Sequence, residues 1–136
     1  IIMIIDGTNA IVGRLCAQVA KFALNGETVD IVNAEKAVIS GNPLTTVSKY
    51  AGRREMTQKA NPEQANKWPR RPDMLLKRII RGMLPKHSGR GKDAQRRIKT
   101  HLGVPKEFEG KAVPFEFTSD ALSGKFISLK ELSERL

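Results

Sequence analysis

The sequence predicts a single domain of the α/β class that contains parallel strands. The chain has 136 residues, which is long enough to bury one core. Its hydrophobic fraction of 40% is typical of a folded protein and not of a disordered one. Within residues 1–34, a strand pattern, a helix pattern and a second strand pattern follow one another. This order is that of a βαβ unit, in which a right-handed crossover joins two parallel strands.

The first two elements of this unit have clear patterns. Residues 1–6, IIMIID, have the continuous apolar character of a buried strand. Residues 10–26 form an amphipathic helix, for which Thr8 or Asn9 can provide the N-cap and Gly26 the C-terminal end. The apolar stripe of this helix consists of Val12, Leu15, Cys16, Val19, Phe22 and Ala23.

The chain then continues with shorter elements. Residues 28–34 read as the second strand, and residues 37–40 as a short third piece before the turn residues GNP. A short helix is predicted from residue 43 to about residue 51. Residues 53–71 are polar, basic and contain prolines, and we expect them to form a loop that becomes ordered on binding.

Two basic helices follow this loop. Residues 72–84 predict a helix with a proline in its first turn, and residues 92–103 predict another after the loop 86–91. Residues 104–117 are expected to be mostly extended, and the capping box at 128–131 predicts the start of a last helix. The apolar face of the first basic helix is Leu75, Leu76, Ile79, Ile80 and Met83, and its polar side carries Lys77, Arg78 and Arg81. The exposed bases of the second are Arg96, Arg97 and Lys99.

The net charge of the chain is concentrated in its central third. The chain has 24 Lys and Arg residues against 14 acids, a formal charge of +10, but residues 53–101 alone hold fifteen bases and four acids. So many unbalanced charges repel one another unless an anion neutralises them. A nucleic-acid backbone is the natural partner, because each docked base releases condensed counterions. A solvated face that aids solubility and an anionic membrane are the alternatives, although a membrane would favour bases on one amphipathic helix.

Two features within this basic segment suggest particular contacts. In SGRGK, two glycines could let the backbone approach a ligand closely, and the start of the second basic helix offers free N–H groups to a phosphate. A plain solvent loop is the alternative. Trp68 could stack on an unpaired base or serve as a hydrophobic plug beside the core, and the sequence does not favour either role.

The sequence offers no catalytic set, metal site or cofactor motif. Gly7 and Gly13 match neither a dinucleotide fingerprint nor a phosphate loop, so Gly7 is expected in a tight turn. His87 and His101 have no partners at metal-ligand spacing. Cys16 is the single cysteine and lies on an apolar stripe, where we expect a packing role. The lone cysteine and the absence of a long apolar run predict a soluble protein of the cytoplasm.

Three stretches resemble a known family. AIVGRLCAQVAKFALNG, VDIVNAEKAVISGN and especially RGMLPKHSGRGKDAQRRIKTHLGVP are similar to the ribosomal protein family numbered thirteen in the large subunit, over residues 3 to about 105, and closest to its archaeal and eukaryotic members. The resemblance implies a three-layer α/β/α domain around a mainly parallel sheet of about four strands. It also implies a structural role, with binding to large-subunit ribosomal RNA and to neighbouring large-subunit proteins, no catalytic activity, no cofactor and no small-molecule substrate.

Charge and resemblance together predict one RNA-binding domain, residues 1–136, with a basic central segment at residues 53–101. The domain is expected to bind ribosomal RNA through the basic helix-loop-helix of this segment and to support subunit assembly. A small α/β enzyme acting on a nucleotide and a free nucleic-acid-binding protein are the alternatives. The residues predicted to bind RNA are Arg53, Arg54, Lys67, Trp68, Arg70, Arg71, Lys77, Arg78, Arg81, Lys86, His87, Ser88, Gly89, Arg90, Gly91, Lys92, Arg96, Arg97 and Lys99.

Overall fold

A computed structural model describes residues 2–65 and 67–136 of the chain. The strands are β1 (Ile2–Asp6), β2 (Thr28–Val32), β3 (Val38–Ser40), β4 (Ile98–Thr100), β5 (Val113–Pro114) and β6 (Phe126–Ser128). The helices are α1 (Val12–Leu24), α2 (Pro43–Glu55), α3 (Pro72–Arg81), α4 (Gly89–Arg96) and α5 (Leu129–Arg135). Short 3-10 turns occur at Ala34–Lys36, Pro62–Gln64, Lys106–Phe108 and Ser119–Ala121.

The main sheet has four parallel strands in the order β4-β2-β1-β5. Strands β1 and β2 pair through Ile5 and Ile31, with α1 as the crossover between them, so the predicted βαβ unit is confirmed. Residues 29–32 of β2 are all buried. Because successive side chains of a strand point to opposite faces, this burial means that both faces of the sheet are covered. The predicted α/β fold around a mainly parallel sheet is therefore confirmed.

A second, smaller sheet joins a strand from the first third of the chain to one near its C-terminus. Strand β3, which is the predicted third piece, pairs with β6 in antiparallel fashion through Ile39 and Ile127. Helix α5 follows β6 directly, and the side chain of Ser128 accepts a hydrogen bond from the backbone N–H of Glu131 at 3.3 Å. The predicted capping residue is thus confirmed at the start of the last helix.

One hydrophobic core connects these elements. Leu15 and Val19 of α1 pack with side chains from β2, α3, β4 and α5, and the largest fully buried side chains include Ile31, Leu75 and Ile98. Cys16 is fully buried in the same core, and this burial raises the pKa of its thiol to about 12. The thiol is therefore protonated at physiological pH, as expected for a residue that serves packing.

The predicted capping of α1 is wrong. The helix begins at Val12 after Ile11, which provides no side-chain cap. Thr8 instead donates its hydroxyl and backbone N–H to the carboxylate of Asp6, and Asn9 has a left-handed backbone with φ of 56°. The turn predicted at Gly7 is present, because the Gly7 carbonyl accepts a hydrogen bond from the N–H of Ala10 at 3.1 Å.

The boundaries of the next two helices also differ from the prediction. Helix α2 runs to Glu55, so Arg53 and Arg54 lie on a helix rather than in the predicted loop. Helix α3 ends at Arg81, and Met83, which was predicted on its apolar face, is 42% exposed. Leu84 is buried in its place, because the chain turns after α3 and brings this later side chain to the core.

The predicted helix over residues 92–103 is present only in its first part, and its bounds are wrong. Helix α4 starts earlier and ends at Arg96, and the chain then enters β4. Ile98 is buried in the core, and β4 pairs with β2, where the N–H of His101 donates to the carbonyl of Ile31 at 2.8 Å. Lys99 consequently lies on a strand. Pairing with the sheet overrides the helical periodicity of this stretch.

Candidate nucleic-acid interface

The basic segment contributes most of a continuous surface made of three adjoining depressions. Two of these have volumes of about 440 and 500 Å³, and both are lined by Trp68 and Arg78. The third, of about 130 Å³, shares Arg81 with one and Lys86 with the other. We call this region the basic surface. Its lining cations are Lys49, Arg53, Lys67, Lys77, Arg78, Arg81, Lys86 and Lys92.

Acidic side chains are absent from the described lining of these depressions. Two acids of the basic segment pair elsewhere. Asp73 binds Arg71 at 3.1 Å, and Asp93 lies 3.7 Å from Arg96. Among the described residues, none of the lining cations forms an ion pair, which is the arrangement expected of a surface that receives an external anion.

Helix α3 positions the centre of the basic surface. Its first turn contains Pro72. Proline is favourable there because it lacks the backbone N–H, which at this position would make no hydrogen bond within the helix. Leu75, Leu76 and Ile80 are buried against the core, so the opposite side of the helix carries its bases outward. The predicted division of α3 into an apolar and a basic side is confirmed for these residues.

The glycines of SGRGK have an internal role that sequence reasoning missed. A Cβ atom on Gly91 would overlap the carbonyl oxygen of Pro85, so Gly91 permits close packing of α4 on the preceding turn. Gly91 is buried and its N–H donates to the side chain of Ser88, the N-cap of α4. The missing side chain of this glycine therefore serves internal packing, and contact of Gly91 with RNA stays a prediction. A Cβ atom on Gly89, by contrast, would meet nothing within 4 Å and would face open space.

Trp68 lies half-buried against the core at the junction of the two larger depressions. Its ring makes an edge contact with Tyr50, with centroids 5.9 Å apart. The guanidinium groups of Arg53 and Arg78 lie 4.7 and 4.5 Å from the Trp68 ring centroid, within the range of cation–π attraction. The residue therefore packs as part of the folded domain and at the same time supports two cations.

Arg78 has an unusual environment. Its Nε atom is buried and has no hydrogen-bond partner among the described residues. Burial lowers the pKa of Arg78 from its usual value, and the neighbouring charges of Arg81 and Arg53 lower it further.

Several arginines predicted to bind RNA make hydrogen bonds within the protein. Arg54 donates to the carbonyl of Trp68 at 2.9 Å, and Arg70 donates to the carbonyl of Ser133 at 3.3 Å. Arg97 donates to the carbonyl of Ala23 at 2.9 Å, at the C-terminus of α1. The first bond holds the loop before α3 on the end of α2, and the other two fasten the basic segment to α5 and α1.

The remaining predicted residues lie outside the three depressions. The exposed ones include Arg90 and Arg96 of α4 and Lys99 of β4, together with His87 and Ser88 in the turn before α4. Their contacts with RNA stay a prediction.

Lys49 was missed by the sequence analysis. It lies four residues before Arg53 on α2, and both side chains line the same depression. The predicted helix ended at about residue 51. If it had been extended to Arg53, Lys49 and Arg53 would have been expected on one face, since residues four apart on a helix are neighbours.

The carboxyl edge of the main sheet holds a polar network that sequence reasoning also missed. Asp6 accepts hydrogen bonds from Thr8 and from the side chain of Asn33, which ties the end of β1 to the end of β2. Burial tends to raise the pKa of Asp6, but these hydrogen bonds and the charge of Lys36 outweigh it and lower the pKa.

His101 lies near this edge and contacts Asp30, with Nε2 and Oδ1 3.2 Å apart. Among residues 2–65 and 67–136, no group of three or more His, Cys, Asp and Glu side chains could hold a metal ion. In the same part of the chain, no helix combines the length and the apolar character needed to cross a membrane.

Fold and surface together describe a basic α/β protein in which eight cations, none in an ion pair with another described residue, line one continuous surface. Residues 1–107 match the sequence profile of the family described as ribosomal protein L13. The chain belongs to this family, which confirms the resemblance seen in its sequence.

Curated relatives cover nearly the whole chain. The large ribosomal subunit protein uL13 of Methanococcus maripaludis is 41% identical to it, over 98% of this chain and 96% of the relative. The uL13 proteins of Methanosarcina barkeri and Haloquadratum walsbyi are each 43% identical over 98% of this chain, covering 96% and 90% of their own lengths. These similarities agree with the expected likeness to archaeal members.

Proposed function

We propose that this protein is a structural component of the large ribosomal subunit that binds large-subunit ribosomal RNA through its basic surface and supports subunit assembly. The relatives that match it along nearly their full lengths are named as large-subunit proteins. In this role the protein acts as one RNA-binding domain in the cytoplasm, in contact with neighbouring ribosomal proteins and without a cofactor, a catalytic step or a small-molecule substrate.

The observation that carries the proposal is the set of eight cations that line the basic surface without a described acidic side chain among them. RNA presents a phosphate with every nucleotide, and each phosphate that meets a Lys or Arg releases bound counterions. A surface of this kind therefore gains affinity from folded RNA without reading its sequence. Phosphate contacts of this type fix the position of a protein on its RNA.

The experiment reverses three charges of the basic surface. Arg81, Lys86 and Lys92 are exposed, and their side chains make no hydrogen bond or ion pair within the described chain. Changing all three to Glu removes three phosphate partners and adds three repulsive charges, while the buried faces of α3 and α4 are unchanged. We expect the variant to keep its circular-dichroism spectrum and to lose co-sedimentation with large ribosomal subunits in high-salt gradients.

The matched control changes Lys111, Lys125 and Lys130 to Glu. These lysines are also exposed and lie outside the basic surface. Because three positive charges are again replaced by three negative ones, the control has the same net charge as the variant. We expect it to co-sediment with large subunits as the unchanged protein does. Equal co-sedimentation of both folded variants would contradict the proposed role of the basic surface.

A further inference from the structure

Arg53, Trp68 and Arg78 form a compact cationic cluster at the boundary of the two larger depressions. Both guanidinium groups lie on the same indole ring, at 4.7 and 4.5 Å from its centroid, and Arg53 also lies 5.2 Å from the ring centroid of Tyr50. We call these three residues the Trp68 cluster. It brings two like charges together without a described carboxylate in the lining around them.

This arrangement is costly for the protein on its own. Burial removes water from Arg78, and the charges of Arg53 and Arg81 repel it. The Nε–H of Arg78 has no acceptor within the described chain, and a buried donor without an acceptor is unfavourable. An anion that accepts hydrogen bonds from both guanidinium groups would relieve the repulsion and satisfy free donors at the same time.

The ring of Trp68 is poorly placed for stacking on a base. Two guanidinium groups already contact the ring, and Tyr50 packs against it at an interplanar angle of 70°. A base that stacked on a face covered by an arginine would displace that arginine and lose a cation–π contact. The contacts instead suit a ring that fixes two arginine side chains, which otherwise lose considerable rotamer freedom on binding.

We propose that Arg53 and Arg78 together bind one backbone phosphate of the RNA, and that Trp68 is the positioning residue that holds both guanidinium groups in place for it. Lys49 and Lys86 line the same depression and add to its positive charge. This inference rests on the proposed function, since it assigns a particular phosphate site within the basic surface. It adds to the packing of Trp68 against the core and takes the place of stacking on a base, the other role that the sequence left open.

The test uses the salt dependence of binding to a transcript of large-subunit ribosomal RNA. Each phosphate contact contributes roughly 0.7–0.9 to the slope of log affinity against log salt. We expect Trp68→Leu to lower the slope by about this amount although it removes no charge, because the two arginines lose their support. Trp68→Phe keeps an aromatic face and should retain the original slope. Arg53→Gln should lower the slope as Trp68→Leu does, and the double variant should lower it no further.

Lys111→Gln is the matched control, because it removes an exposed charge outside the basic surface and should leave the slope unchanged. An unchanged slope for folded Trp68→Leu overturns the inference. If affinity is then also unchanged, the residue is only a hydrophobic plug, and if affinity falls at constant slope, it stacks on a base. Failure of this kind leaves the proposed function intact, because the proposed function is tested separately, by the co-sedimentation of the variant in which Arg81, Lys86 and Lys92 are changed to Glu.

A second measurement needs no substitution at Trp68. Trp68 is the only tryptophan of the chain, so its fluorescence reports on the cluster alone. Inorganic polyphosphate carries phosphates and no bases, and we expect it to change the emission of the unchanged protein in a saturable way. Arg53→Gln should weaken this response at least several-fold, whereas Lys111→Gln should not. No response to polyphosphate, with a response to RNA, overturns the inference.

Discussion

Arg96 and Arg97 are adjacent in the chain and have different surroundings. The Arg96 side chain is 81% exposed and lies 3.7 Å from Asp93, which is itself largely exposed. Arg97 reaches across to the last turn of α1, where its Nη1 donates to the carbonyl of Ala23. Carbonyls at the C-terminus of a helix lack partners within the helix and attract positive charge. Two residues that look alike in the sequence therefore differ in how much the fold depends on them.

We expect Arg97→Gln to lower the free energy of unfolding by about 1 kcal/mol, because it removes a charged hydrogen bond to a helix end at a partly exposed site. Arg96→Gln is the matched control and should change stability by less than about 0.5 kcal/mol, as is usual for an exposed ion pair. Urea denaturation followed by circular dichroism measures both values. Equal stabilities for the two variants would contradict the helix-capping role of Arg97.

The elements differ in how far their sequence determines them. Helix α3 could be predicted, because a first-turn proline and apolar residues at helical spacing act locally and agree with each other. Strand β4 could not, because a strand of three residues is stable only through its pairing with β2. The periodicity of α4 continues into β4, and only the sheet decides where the helix ends. Element boundaries set by tertiary pairing are thus the part that the sequence leaves open.

Gly91 offers a test of how α4 is joined to α3. We expect Gly91→Ala to lower the free energy of unfolding by about 1–3 kcal/mol, because the added Cβ would overlap the Pro85 carbonyl and force the helix start to move. Gly89→Ala adds the same atom to the same helix, where nothing lies within 4 Å of it. It should be neutral or stabilise the protein by up to about 1 kcal/mol. Thermal melting of both variants checks this, and a neutral Gly91→Ala would contradict the close packing.

At the scale of the whole molecule, the net charge comes from one part of the chain, whereas the core draws on all of it. Residues 1–52 and 102–136 are close to neutral and supply β1, β2, α1 and α5, whereas the central segment supplies most of the cations. This concentration of charge was visible in the sequence, because composition needs no fold. Which arginines bind within the protein was not visible, since the partners of Arg70 and Arg97 lie 63 and 74 residues away. The basic surface also extends beyond the central segment to Lys49.

The protein should bind structured RNA with a strong dependence on salt. If at least five of the eight lining cations meet phosphates, the slope of log affinity against log salt should be roughly 3.5–4.5 in magnitude. Lys49→Gln should reduce this magnitude by about 0.7–0.9, although Lys49 lies outside the basic part of the sequence, because the fold brings it beside Arg53. Lys111→Gln removes the same charge from an exposed position away from the depressions and should leave the slope unchanged. Filter binding across a series of salt concentrations gives all three slopes. Equal slopes for the two lysine variants would mean that local charge density in the sequence, rather than the folded surface, governs the contact with RNA.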